Sequence, residues 1–146
     1  MNVGAGGPLR GDVADARHGP DKVPTAAHRA ALLLASHPER QWCLRDLAAH
    51  VHLSASQLSR LFVREMGVSP MQYLVRVRAR RLAQLLVATD LPVGVAMRQV
   101  GWGSRGHAAR QFQAVTGFSP SAYRKVADRG ERRDRPSEGH RSKPPS

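Results

Sequence analysis

Apolar positions recur at helical steps through the middle of the chain. Between Ser69 and Ala88, Val75, Ala79, Leu82 and Leu86 follow one another at steps of four, three and four, which places them on one face of a helix. Capping and breaking residues divide the rest into helices in the same way. Thr25 caps a first helix, Ala26 to His37, which Pro38 ends. Leu44 to Val51 forms a short second helix. Ser54 caps a third that runs to Met66 and stops at Gly67. Ser69, with Pro70 at the first helical position, opens the long fourth helix, which Asp90-Leu91-Pro92 breaks. A fifth helix covers about Val93 to Val100, and a sixth runs from Ser104 to Thr116 and ends at Gly117. Ser119-Pro120 opens a seventh, to about Ala127. No stretch alternates as a strand does, so the expected fold class is all-α with seven helices.

An internal repeat organises these helices. Gly67-Val68-Ser69-Pro70-Met71-Gln72-Tyr73 matches Gly117-Phe118-Ser119-Pro120-Ser121-Ala122-Tyr123 at an offset of 50 residues, and Arg60 and Phe62 match Arg110 and Phe112 at the same offset. Each copy reads as a short helix, a tight turn and a longer capped helix, which is a helix-turn-helix unit. The first unit spans about 44–67, the linking helix about 69–88 and the second unit about 93–117. In the first unit Leu47, Ala48 and Val51 are expected to pack on Leu53, Leu58, Leu61 and Phe62, with the small Ala48 allowing close approach. The opposite face of the third helix then offers Ser56, Gln57, Ser59, Arg60 and Arg64. The equivalent face of the sixth offers Ser104, Arg105, Gly106, His107 and Arg110, with Gln111 beside them. One helix fits a major groove about 12 Å wide.

Charge strengthens that reading. The net charge is +12 and the pI about 11.5. Lysine occurs only at Lys22, Lys125 and Lys143, so arginine carries nearly all of the excess. Arginine forks match phosphate oxygens and guanine edges. The excess belongs to the core, where Glu39, Asp46, Glu65 and Asp90 are the only carboxylates from 25 to 127. Nucleic acid is therefore the first partner class, ahead of an anionic membrane surface. Among Arg76, Arg78, Arg80 and Arg81 on the linking helix, some are expected at phosphates and others paired with Asp46, Glu65 or Asp90.

Other classes recede. The single cysteine, Cys43, excludes an internal disulfide scaffold. Cys43, His50 and His52 lack the spacing of a zinc site, and no cofactor motif is present. Ser54 and Ser104 read as caps and Trp42 and Trp102 as packing residues, so no catalytic cluster emerges and an enzyme is not expected. The longest apolar run, Ala30 to Ala35, is far short of the roughly 18 residues that span a bilayer. No signal peptide is visible in residues 1–24, so the expected compartment is the cytoplasm, with association to the nucleoid. Those residues, rich in Gly and Pro, read as a disordered arm, and 128–146 reads as a disordered basic tail.

Two stretches carry a family resemblance: LRDLAAHVHLSASQLSRLFVREMGVSPMQYL and VGWGSRGHAARQFQAVTGFSPSAYR. Over roughly residues 28–125 the chain resembles the DNA-binding domain of the AraC/XylS family of bacterial transcriptional regulators. The resemblance implies two lobes on a linker helix, reading two successive major grooves of double-stranded DNA. It implies base contacts through Ser56, Gln57, Ser59 and Arg60 in the third helix. In the sixth it implies them through Arg105, Gly106, His107 and Arg110. Regulation of transcription is the implied function, with RNA polymerase as a further partner; a non-specific architectural DNA-binding protein of the same fold is the alternative. Two reading heads in one chain make a dimer unnecessary. Residues 1–24 are too short for the separate effector domain that such regulators often carry, so the chain reads as a stand-alone or a truncated regulator. It departs from the pattern at three places. Ala96 and Met97 stand in reversed order of size, Cys43 replaces a Ser or Thr cap, and Ala108 replaces a bulky residue. Met97 or Trp102 is expected to fill the space beside Ala108.

Overall fold

A computed structural model describes residues 23–134, with side chains through residue 131. The described residues form seven helices and no strand. They are α1 (Ala26–Ser36), α2 (Leu44–His50), α3 (Ala55–Met66), α4 (Pro70–Ala88), α5 (Val93–Gln99), α6 (Arg105–Thr116) and α7 (Pro120–Asp134). None is long and apolar enough to cross a membrane.

The start signals act as the sequence suggests. The Thr25, Ser54, Ser69 and Ser104 hydroxyls each accept from a backbone N–H three residues on. At Ser54 and Ser69 the bond is returned, because Gln57 and Gln72 accept from the cap residue's own N–H. Gly67 and Gly117 end α3 and α6 in the left-handed region, at φ 82° and 86°. Cys43 begins α2 with no side-chain cap bond and stands exposed.

One helix differs in extent. The sequence places the end of α7 near Ala127, whereas α7 runs to Asp134. Residues 128–134, expected as part of a disordered tail, are therefore helical. Arg and Glu are good helix formers, and a helix already started needs no apolar face to add turns. The rest of the expected tail, and nearly all of the expected arm over 1–24, lie outside the described residues.

The core has two centres. In the first lobe Ala27, Ala30 and Leu34 of α1 pack with Leu47, Ala48, Val51, Leu58, Phe62 and Leu74. In the second, Ala79, Leu82 and Leu86 of α4 pack with Ala96, Met97, Val100, Trp102, Ala108 and Phe112. Helix α4 thus serves the first lobe with its N-terminal half and the second with its C-terminal half. Each lobe also holds an edge-to-face aromatic pair, Phe62–Tyr73 and Phe112–Tyr123, both with ring centroids 5.5 Å apart.

The two helix-turn-helix units close with the same backbone bonds. Leu53 N–H donates to the Ala48 carbonyl at 2.9 Å, and Trp102 N–H donates to the Met97 carbonyl at 3.1 Å. The chain turns through positive φ at His52 in the first and at Gly101 in the second. Gly103 is an extra residue in the second turn. The interiors then compensate in volume. Where the first lobe has Leu47, Ala48, Leu53 and Leu58, the second has Ala96, Met97, Trp102 and Ala108. Trp102 is only 3% exposed and belongs to the same packed cluster as Ala108, so a large turn residue fills beside a small helix residue.

Candidate nucleic-acid interface

Helices α3 and α6 each follow the turn of their unit and bury only two residues, Leu58 and Phe62 in α3, and Ala108 and Phe112 in α6. The other faces are open. On α3, Ser56, Gln57, Arg60 and Arg64 are exposed and Ser59 is half-buried. Gln57, Arg60 and Arg64, at steps of three and four, line one shallow recess with Leu53 and Leu61. The Gln57 side-chain carbonyl oxygen accepts from the Ser54 N–H at 2.9 Å, and its amide N–H groups have no partner among the described residues.

On α6, Arg105, Gly106, His107 and Arg110 are exposed. Gly106 is spaced one turn before Arg110, and a Cβ there would lie 3.5 Å from the Arg110 guanidinium. The arginine thus extends back over a residue without a side chain. The Arg105 side chain lies over Gly94 of α5, about 3.4 Å from where a Cβ would stand.

Gln111, expected near the base-contacting residues, also has a partner inside the fold. It is half-buried, and its carbonyl oxygen accepts from the Trp102 indole N–H at 2.8 Å. A buried indole N–H needs an acceptor, and Gln111 is the one the fold supplies. On its other side Gln111 lines a groove with Ala114, Val115 and, across on α4, Gln72, Val75 and Arg76.

Two groups of arginines bear on the site. Arg60, Arg64, Arg105 and Arg110 have no carboxylate partner among the described residues, where Glu65 lies beside His28 and Glu39 beside His37. Glu65, the neighbour of Arg64 in sequence, accepts from the Thr25 hydroxyl at 2.7 Å and so is held toward α1. The second set serves the fold. Arg78 donates to the Pro38 and Arg40 carbonyls, both at 2.9 Å, and Arg81 donates to the Ala35 carbonyl at 3.0 Å. Arg124 donates to the Leu86 and Thr89 carbonyls at the end of α4, at 3.1 and 3.2 Å. Of the four linking-helix arginines expected at phosphates or at carboxylates, Arg78 and Arg81 thus bond main-chain oxygens instead. At Ala35 and Leu86 the cause is that the last carbonyls of a helix lack intrahelical donors and carry the negative end of its dipole, whereas Pro38 and Arg40 offer loop carbonyls between α1 and α2. Burial holds the Arg78 guanidinium below its ordinary pKa.

A two-lobed, all-helical domain with a helix-turn-helix unit in each lobe defines a class of bipartite DNA-binding domain. The comparisons give the family. A family model described as a helix-turn-helix domain matches residues 47–126. The arabinose operon regulatory protein of Escherichia coli K12 is 35% identical over 81 residues, covering 56% of this chain and 28% of that protein. The regulator YisR of Bacillus subtilis is 31% identical over 112 residues, covering 74% of this chain and 39% of that protein. Among solved structures, the DNA-binding domain of AdpA in complex with a target DNA superposes with a TM-score of 0.69 at 26% identity, covering 76% of this chain and 99% of that one. The C-terminal domain of AraT, a response regulator of Geobacillus stearothermophilus, superposes with a TM-score of 0.68 at 26% identity, covering 73% and 88%. The chain belongs to the AraC family of helix-turn-helix transcription regulators, which is not a family of enzymes. It spans about two fifths or less of the length of the curated relatives it matches.

Proposed function

We propose that this domain binds double-stranded DNA sequence-specifically and regulates transcription, with α3 and α6 entering successive major grooves. One observation carries the reading. At the repeat-equivalent positions Arg60 and Arg110, on two open helix faces, a guanidinium stands exposed with no carboxylate partner among the described residues. An unpaired arginine fork on a groove-sized helix is the group that reads guanine edges. Gln57, Ser56, Ser59 and Arg64 work beside Arg60, and Arg105, Gly106 and His107 beside Arg110. Gln111 supports the α5–α6 turn and does not read.

The binding unit is taken as residues 25–127, with units at about 44–67 and 93–117 joined by the helix at 69–88. Double-stranded DNA is the partner, in the bacterial cytoplasm and on the nucleoid, and RNA polymerase is the partner through which regulation would act. A single chain suffices for both half-sites. The complex of the AdpA domain with DNA supports the choice of ligand.

Selection from a pool of random double-stranded DNA tests the reading. The expected product is one motif of two unlike half-sites about one helical turn, roughly 34 Å, apart. A pool that stays unenriched while the protein still binds at low salt would mean an architectural, sequence-indifferent protein.

A further inference from the structure

The two lobes are joined covalently by α4 alone, and the principal helix contacts between them also run through α4. A second junction lies off that axis. The loop between α1 and α2, in the first lobe, meets the turn between α5 and α6, in the second. Gln41 donates its side-chain amide to the Gly101 carbonyl at 2.9 Å, across the two lobes. Arg78, near the middle of α4, donates to the Pro38 and Arg40 carbonyls of the first lobe's loop. Gly101 closes the junction. A Cβ there would lie 2.3 Å from the Pro38 carbonyl oxygen and 2.9 Å from the Arg78 guanidinium nitrogens. Pro38 itself is fully buried. A loop from one lobe, a bare glycine from the other and one guanidinium from the linker therefore meet at a single point.

A lone helix leaves two attached bodies some freedom to bend and twist. A second contact away from its axis removes most of it. The turn so fixed is the one that leads directly into α6, through Trp102 and the Ser104 cap. We propose that Gln41, Arg78 and Gly101 form an inter-lobe brace that fixes α6 relative to α3 and thereby sets the half-site spacing the protein accepts. The consequence for spacing rests on the DNA reading above. Arg78, Gln41 and Gly101 are positioning residues, acting through the turn and not on the bases.

Two measurements on the full chain test this, each with Gln41→Ala, Arg78→Met and the double variant. The first needs no DNA. Spin labels at Ala49→Cys and Gln113→Cys, with Cys43→Ser to remove the exposed native thiol, report the distance between lobes. A narrow distribution is expected for the braced chain and a broader one for the variants. The second is affinity for the selected site with one base pair added or removed between half-sites, a change that turns one half-site by ~35°. The braced chain is expected to lose at least ~10-fold and the variants less than ~3-fold, against a typical mismatch effect of that order or more. Gln41→Ala removes only one exposed group, so it remains informative if Arg78→Met does not fold. Unchanged label distances in the Gln41→Ala chain would overturn the brace. Broadened distances with an unchanged spacing penalty would overturn its role in specificity. A wild-type chain that selects no site would sink the DNA reading instead, and the distances would still decide the brace.

Discussion

The Phe62 and Tyr73 rings meet edge to face at 5.5 Å, one in α3 and the other in α4. Phe112 and Tyr123 repeat the arrangement at the same centroid distance. In each lobe the pair spans the turn made by a left-handed glycine and a Ser-Pro helix start, so it ties α3 to α4 and α6 to α7. Phe62 and Phe112 are both fully buried. Phe112→Ala is expected to destabilise the chain by about 3–5 kcal/mol. Tyr123→Leu, which keeps bulk but loses the ring pair, is expected to destabilise by about 0.5–1.5 kcal/mol. Urea unfolding followed by circular dichroism gives both values; an unchanged stability in Tyr123→Leu would mean that the ring pair contributes nothing.

Two glycines at positive φ should respond differently to the same substitution. Gly67, at φ 82°, has open space around a would-be Cβ, so Gly67→Ala is expected to cost only the left-handed conformation, about 1–2 kcal/mol. At Gly101, φ 105° combines with a Cβ that would overlap a backbone oxygen. Gly101→Ala should therefore lower the melting temperature clearly further than Gly67→Ala. A smaller shift at Gly101 would mean that the lobes move apart freely there.

Gln111 lies in α6 one residue after Arg110, and its carbonyl oxygen accepts from the Trp102 indole N–H. Gln111→Ala leaves the Trp102 indole N–H without its acceptor, which is expected to destabilise by about 1–3 kcal/mol. The change should show in thermal unfolding and in Trp fluorescence. Ranking of operator variants should stay as in the wild type. A reordered ranking with unchanged stability would return Gln111 to the set of base readers.

The lobes were readable because Gly-x-Ser-Pro-x-x-Tyr spells its own geometry: a left-handed stop, a cap, a proline first turn and an inward ring. The caps at Ser54, Ser69 and Ser104 were readable for the same reason. The exposed faces of α3 and α6 followed from helical spacing around Phe62 and Phe112. The partners of Arg78, Arg81 and Arg124 were not readable, because a main-chain carbonyl has no letter in the sequence and only the assembled fold brings it near. The role of Gln111 depends on Trp102 turning inward, which in turn depends on the small Ala108. The added length of α7 was hidden by its charge, since a solvated helix and a disordered tail share that composition.

The most direct test sets Arg60→Ala and Arg110→Ala against the selected site and against every single base-pair change within it. Each variant is expected to lose about 1–3 kcal/mol on the selected site and to relax base preference in one half-site only, Arg60→Ala in one and Arg110→Ala in the other. The same loss on unrelated DNA, with base preferences intact in both half-sites, would contradict readout by these two helices.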